Sequence, residues 1–221
     1  MASSTNQISS YADFIAPCIR AYELRLSKFG TDAKSVFWKN KSFQEKRFKI
    51  LSKIFANINS QHTNYIHDFG CGYGAFYDFL KNSPIMMNGK FVGTDASKKM
   101  IDGAKARINH PRVKFVHGLI ATETADYTIV SGTFNMKMEK SDLEWQNYVE
   151  NSLKQLWSQT RKGLAFNMLR DDTEQRFKGL YYINGTDLKK FCSKNLSQDV
   201  ILRNDTPLPD WTFYVTRSQN K

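Results

Sequence analysis

The sequence of 221 residues has few cysteines, no long apolar run and no cluster of metal ligands. Its three cysteines, Cys18, Cys71 and Cys192, form an odd, scattered set without ligand spacing. That excludes a disulfide frame or a zinc site and fits reduced thiols. No apolar stretch approaches the ~20 residues needed to cross a bilayer, so no membrane partner is expected. The first residues, MASSTNQISS, lack both a basic start and an apolar run. No secretion signal is read there, and the expected address is the cytoplasm. Internal repeats and low-complexity tracts are missing as well, which excludes repeat architectures.

What is present describes a folded protein with one sizeable core: 41% of residues are hydrophobic and 14% aromatic. Basic residues outnumber acidic ones, 32 to 21, for a formal charge of +11 that points toward anionic partners, nucleic acid among them. The segment 28–53 alone holds eight basic residues against Asp32 and Glu45. A solvated basic face is the simpler account of it.

Patterning divides the chain into an N-terminal helical cap, residues 1–60, and an alternating region, residues 61–221. In the cap, Phe14, Ile15, Cys18, Ile19, Tyr22 and Leu26 recur at helical spacing, and Phe43, Ile50, Leu51, Ile54, Phe55 and Ile58 do so again. Ser42 with Glu45 predicts a capping box for the second helix. From Tyr65 onward, strand-like runs over 64–69, 90–94, 113–117, 126–131, 163–169, 199–203 and 211–217 alternate with helical stretches that open at Ala75, Ser97, Ser141 and Thr186. The fold class that follows is α/β: a Rossmann-like, seven-stranded, mostly parallel sheet with the last strand antiparallel, preceded by the helical cap. The last two strands pair antiparallel because NDTPLPD between them is too short for a crossover.

The chemistry is concentrated in IHDFGCGYGAF, residues 66–76. A strand running into Gly70, Gly72 and Gly74 and then a helix exposes bare backbone N–H groups to a ligand. Gly70, Gly72 and Ala75 also satisfy a dinucleotide fingerprint. Asp68 tilts the choice, because a carboxylate there repels a pyrophosphate and attracts a ligand bearing ammonium and sulfonium centres. Asp95, at the end of the next strand, is placed to accept hydrogen bonds from ribose hydroxyls.

With these residues the sequence resembles the class I S-adenosylmethionine-dependent methyltransferases over roughly residues 60–217. Asp68, Gly70, Gly72 and Gly74 match the family's first motif, Asp95 its second, and DYTIVSGTF its fourth. The "W…Q…RF" residues Trp38, Gln44, Arg47 and Phe48, with the stretches 131–135 and 165–167, resemble a subgroup of small bacterial methyltransferases whose substrate is not fixed by the pattern. The resemblance implies S-adenosyl-L-methionine as cofactor and S-adenosyl-L-homocysteine as product. Asp68 would hold the methionine end, Gly70 and Gly72 would lie against the cofactor, Asp95 would hold the ribose and Met100 would pack on adenine. Cys71, Ala96, Gly118, Leu119, Ser131 and Gly132 complete the cofactor set beside these motifs. One departure is His117, Gly118 and Leu119 after the third strand, where the family often has an acid. Arg47 lies on an apolar helical stripe and needs an anionic partner, expected to be the cofactor carboxylate or Asp68, with Trp38 helping to close the site.

Candidate bases for an acceptor that must lose a proton are His67, Tyr73 and His117. Acceptor contacts are expected from Phe134 and Asn135 and from a lid over 170–185 offering Arg170, Arg176, Tyr181 and Tyr182. No metal is expected. SGTF lacks the prolines of base-flipping N-methyltransferases, which favours a small molecule (metabolite, sugar or anionic group) as acceptor. An RNA or DNA methyltransferase and an NAD- or nucleoside-binding module are the alternatives; the oligomeric state is left open.

Overall fold

The computed structural model describes residues 2–56, 62–204 and 208–218. The cap consists of helix α1 (Ala2–Phe29), a short 3-10 turn (Ala33–Val36) and helix α2 (Lys41–Leu51). The apolar spacing places the start of α1 at Tyr11, whereas helical backbone begins at Ala2. Asn40, not Ser42, caps α2: its side chain accepts from the Phe43 N–H, and Glu45 pairs instead with Lys41. Ile58, counted in the second apolar stripe, lies outside the described residues.

The alternating region contains β1 (Tyr65–Phe69), α3 (Ala75–Leu80), β2 (Lys90–Asp95), α4 (Lys98–Arg107), β3 (Val113–His117) and β4 (Ala125–Val130). It continues through α5 (Asp142–Ser158), β5 (Thr160–Arg170), β6 (Tyr182–Ile183), α6 (Gly185–Asn195), β7 (Asp199–Arg203) and β8 (Asp210–Thr216). Ser97 caps α4, and Ser141 with Glu144 forms a complete capping box on α5. The strands lie in the order β3-β2-β1-β4-β5-β8-β7, with the two-residue β6 beside the end of β5. Only β8 runs against its neighbours. The order reverses between β1 and β4, so the carboxyl ends of these two strands part and leave a crevice above them.

Apolar side chains fill both faces. On one, Trp145, Val149, Leu153 and Leu156 of α5 pack on Leu164, Phe166 and Phe213. On the other, Phe48 and Leu51 of α2, Phe76 and Leu80 of α3 and Ile101 of α4 pack on Ile66, Phe91, Phe115 and Ile129. Helix α1 belongs to the first face through Phe14, stacked on Trp145 at 5.7 Å, and reaches the second edge through Glu23, which accepts from Ser97 Oγ at 3.0 Å. It therefore crosses above the strand ends. No helix among the described residues is long and apolar enough to cross a membrane.

Phe166 and Phe213 are register partners on β5 and β8, with ring centroids 4.7 Å apart, and both are fully buried. Phe166→Ala should lower the unfolding free energy by about 3–5 kcal/mol in urea titrations, with an unchanged slope if the native state is otherwise kept.

Candidate active site

The turn after β1 is held by backbone geometry that only glycine supplies without strain. Gly70 has φ of +77°, and a Cβ there would lie 2.2 Å from Thr133 Oγ1. Asp95 braces the same turn from the end of β2: Oδ2 accepts from the Gly72 N–H and Oδ1 from the Ser97 N–H, each at 2.8 Å. Asp95 thus organises the turn as well as facing the crevice. Asp68 differs. It is 2% exposed and lines the cavity, and among the described residues its carboxylate has no hydrogen-bond or ion-pair partner. Desolvation, and secondarily the charge of Asp95, hold its carboxyl well above the usual carboxylate range.

The cavity over the turn measures about 1050 Å³, its open mouth included. Its floor is Asp68, the glycine turn and the ends of β2 and β4, and its roof comes from the cap. Ile15, Cys18, Ile19 and Tyr22 of α1 all face it, as do Val36, Trp38, Gln44 and Phe48. Cys18 Sγ donates to the Met136 carbonyl at 3.2 Å, which ties the roof to the segment after β4. Among the described residues no Lys, Arg or His lines the cavity, and its charged groups are Asp68 and Asp95.

The structure brings most of the expected cofactor set together. Trp38, Asp68, Gly70, Cys71, Gly72, Asp95, Ala96, Met100, Gly118, Leu119, Ser131 and Gly132 line this one cavity. Arg47 does not. Its Nη2 lies 2.7 Å from Asp210 Oδ2 at the start of β8, and its guanidinium stacks 4.0 Å from the Trp38 ring centre. The partner expected in Asp68 or the cofactor is replaced by Asp210, because the buried face of α2 is turned toward β8.

Of the candidate bases, only Tyr73 reaches the cavity. Its hydroxyl donates to Gln44 Oε1 at 3.1 Å, and burial pushes it up to about 12. His67 is buried within the sheet and shares a hydrogen bond of 3.0 Å with Thr94 Oγ1. His117 is exposed with Nε2 3.0 Å from the Ala96 carbonyl oxygen. Neither histidine lines the cavity, so neither faces an acceptor there.

None of the expected acceptor residues lines the cavity. Phe134 and Tyr181 are core side chains. Asn135 Oδ1 accepts from the Leu169 N–H at 3.2 Å, and Tyr182 accepts from the Phe177 N–H at 2.8 Å. Arg170 forms a bidentate pair with Asp172 at 2.7 Å, and Arg176 donates to the Asp171 carbonyl. Local bonds and the bridge between Leu180 and Met136 hold this segment against the stretch after β4. The roof is α1 instead. Its stripe was legible as a buried face, and only its position shows that it is buried against a cavity.

Comparison with known proteins gives the same class. Residues 66–163 match the model of a family described as a methyltransferase domain. A protein of Mycobacterium tuberculosis (strain H37Rv), Rv1506c, which bears the name of a methyltransferase, is 30% identical over 164 residues, covering 73% of this chain and 98% of the relative. The chain belongs to the class I S-adenosylmethionine-dependent methyltransferases, and S-adenosylmethionine is its cofactor. Among solved structures, magnesium protoporphyrin IX methyltransferase from Synechocystis PCC 6803, with bound S-adenosylhomocysteine, shares the fold at a TM-score of 0.63 and 13% identity, over 95% of this chain and 99% of that one. The CurJ carbon methyltransferase does so at 0.62 and 8%, over 85% of this chain and 58% of that one.

His67 supplies a pH prediction. Burial lowers its pKa from 6.5 to about 4, so the unfolded chain binds the extra proton first as pH falls. Stability should therefore decline between pH 6.5 and 4, by roughly 3 kcal/mol from this group, and be unaffected by it above that window. In urea titrations across the window, His67→Gln should flatten that part of the slope.

Proposed function

We propose that this methyltransferase acts on a small acceptor carrying no phosphate or carboxylate, enclosed beneath α1, by in-line displacement. One observation carries the reading: the described lining is apolar and aromatic, and its charges are two carboxylates without a cation. An anion brought to such a cavity loses its hydration and meets no cation in return, so the anionic branch of the sequence expectation is set aside. A nucleic-acid backbone meets the same objection, and the lysines at positions 39, 41, 46 and 49 are exposed rather than turned into the cavity.

The residues present fit the cofactor. Asp68 is a buried, unpartnered carboxylate suited to an ammonium group, and Gly72, on the cavity wall, presents backbone without a side chain. Asp95 keeps lone pairs for ribose hydroxyls beyond the two amides it already accepts, and Met100 offers an apolar surface for adenine. Bound there, S-adenosylmethionine supplies a methyl group activated by its sulfonium. The chain's own part is alignment and exclusion of water, and positioning of this kind contributes about 7–11 kcal/mol in favourable cases. Ile15, Ile19, Trp38 and Trp145 close the space with apolar surface. Tyr73, held to Gln44 with a raised pKa, keeps its proton at neutral pH. The reacting atom of the acceptor is therefore one that already presents a lone pair or releases its proton to water.

Calorimetric titration of S-adenosylhomocysteine tests the cofactor half. Asp68→Asn should weaken binding by at least tenfold, about 1.4 kcal/mol. Because the carboxyl of Asp68 is held high and must ionise to meet an ammonium, wild-type affinity should rise with pH and level off once Asp68 is charged. An unchanged affinity in the variant would remove Asp68 from the site. For the acceptor half, labelled methyl transfer should be compared across neutral aromatic compounds, organic phosphates and bulk RNA. Incorporation into RNA alone, with steep salt dependence, would replace the small-molecule reading by the nucleic-acid one.

A further inference from the structure

The buried ion pair between Arg47 and Asp210 stands outside the cavity and takes no part in the cofactor site, yet it is attached to the cavity wall. The pair is 2.7 Å long, with side chains 5% and 2% exposed. Arg47 lies flat against Trp38, 4.0 Å from the ring centre. Trp38 in turn presses on Gly132, where a Cβ would come within 2.8 Å of Cζ2. The Gly132 N–H donates to Asn167 Oδ1 at 2.9 Å, and the Asn167 side chain hydrogen-bonds Asp210. The contacts close into a ring: Arg47, Trp38, Gly132, Asn167, Asp210. It joins the cap to β4, β5 and β8, and two members, Trp38 and Gly132, line the methyl-transfer cavity.

Stability alone is a poor reason for this arrangement. A buried pair often gains little over apolar side chains of the same volume, and here Arg47 Nε is left without a partner. The backbone is strained as well. Phe37, directly before Trp38, has φ of +63°, in the left-handed region that a bulky side chain disfavours. Strain, an unpartnered guanidinium nitrogen and a buried charge pair all converge on the orientation of one indole.

We infer that Arg47 and Asp210 are positioning residues: the pair fixes Trp38 against Gly132 and so sets the shape of the cavity beside the end of β4. Arg47 acts from behind the wall. The guanidinium is suited to this because its plane stacks on the ring while its edge meets the carboxylate, two tasks that a lysine ammonium cannot combine. The consequence for acceptor selection rests on the methyltransferase reading; the placement of Trp38 does not.

The test uses the full chain saturated with S-adenosylhomocysteine, comparing wild type with Arg47→Met, Asp210→Leu and the double variant. Each is also made with Trp38→Phe, so that the difference isolates one of the four tryptophans. Melting temperature, cofactor affinity by calorimetry and acrylamide quenching of Trp38 fluorescence are read. Each single variant should melt lower, and the double variant should recover most of the loss. Its Trp38 should nevertheless be quenched several-fold more readily than in wild type, with cofactor affinity nearly unchanged. A double variant with recovered melting and wild-type quenching would make the pair merely structural and overturn the inference. Should the double variant not fold, Arg47→Lys serves instead: it keeps the charge opposite Asp210 and loses the stack, and wild-type quenching there would equally overturn the proposal. Wild type failing to bind the cofactor analogue would sink the proposed function, while the quenching comparison, made without ligand, would still judge the ring.

Discussion

An unpartnered carboxylate at the base of a cavity is the constraint around which the rest of this structure is arranged. Asp68 is carried to the end of β1 inside the sheet, where solvation is lost, and among the described residues no cation is supplied to it. Left unpaired, the carboxyl avoids the cost of a bare buried charge by keeping its proton, and a cationic guest is what would ionise it. The glycine turn borders the carboxylate, Asp95 ties that turn to the start of α4 through the Gly72 and Ser97 amides, and α1 roofs the cavity. Each feature makes sense once a cationic nucleoside is the guest.

The roof shows how the cap and the sheet divide the work. Sheet and turn residues provide the polar contacts, and the cap provides nearly all of the apolar ceiling. Helix α1 is pinned at both sides of the crevice, by Glu23 to Ser97 and Lys99 and by Cys18 to Met136, so the ceiling is anchored to elements flanking the site. Among the described residues no basic side chain lines the cavity, and Arg47, which is buried, is paired with Asp210 behind its wall. The charge of +11 therefore describes the surface and says little about what enters the cavity.

Most of the cofactor side was legible from sequence because it depends on short-range order. A strand, a glycine turn and a helix within eleven residues can be arranged in few ways, and Asp68 and Asp95 lie at the ends of adjacent parallel strands whatever the details of packing. The acceptor side was not legible. Arg170, Arg176, Tyr181 and Tyr182 follow a strand whose end borders the crevice, but the arginines are bonded to Asp172 and Asp171, Tyr182 to the Phe177 amide, and Tyr181 is packed in the core. Likewise His67 and His117 sit in β1 and β3 as the pattern says, while the side of the strand each occupies and its neighbours take both from the cavity.

The sequence by itself determined the alternation of strands and helices, the antiparallel last strand, the glycine turn and the two aspartates, since each follows from residues close together in the chain. Only the tertiary structure decided that the apolar stripe of α1 is a ceiling, that Arg47 belongs to Asp210 across 163 residues, and that no basic side chain among the described residues faces the ligand. Those outcomes depend on where distant elements dock. Burial periodicity tells which face of a helix avoids water, and it carries no information about whether a protein core or a ligand covers that face.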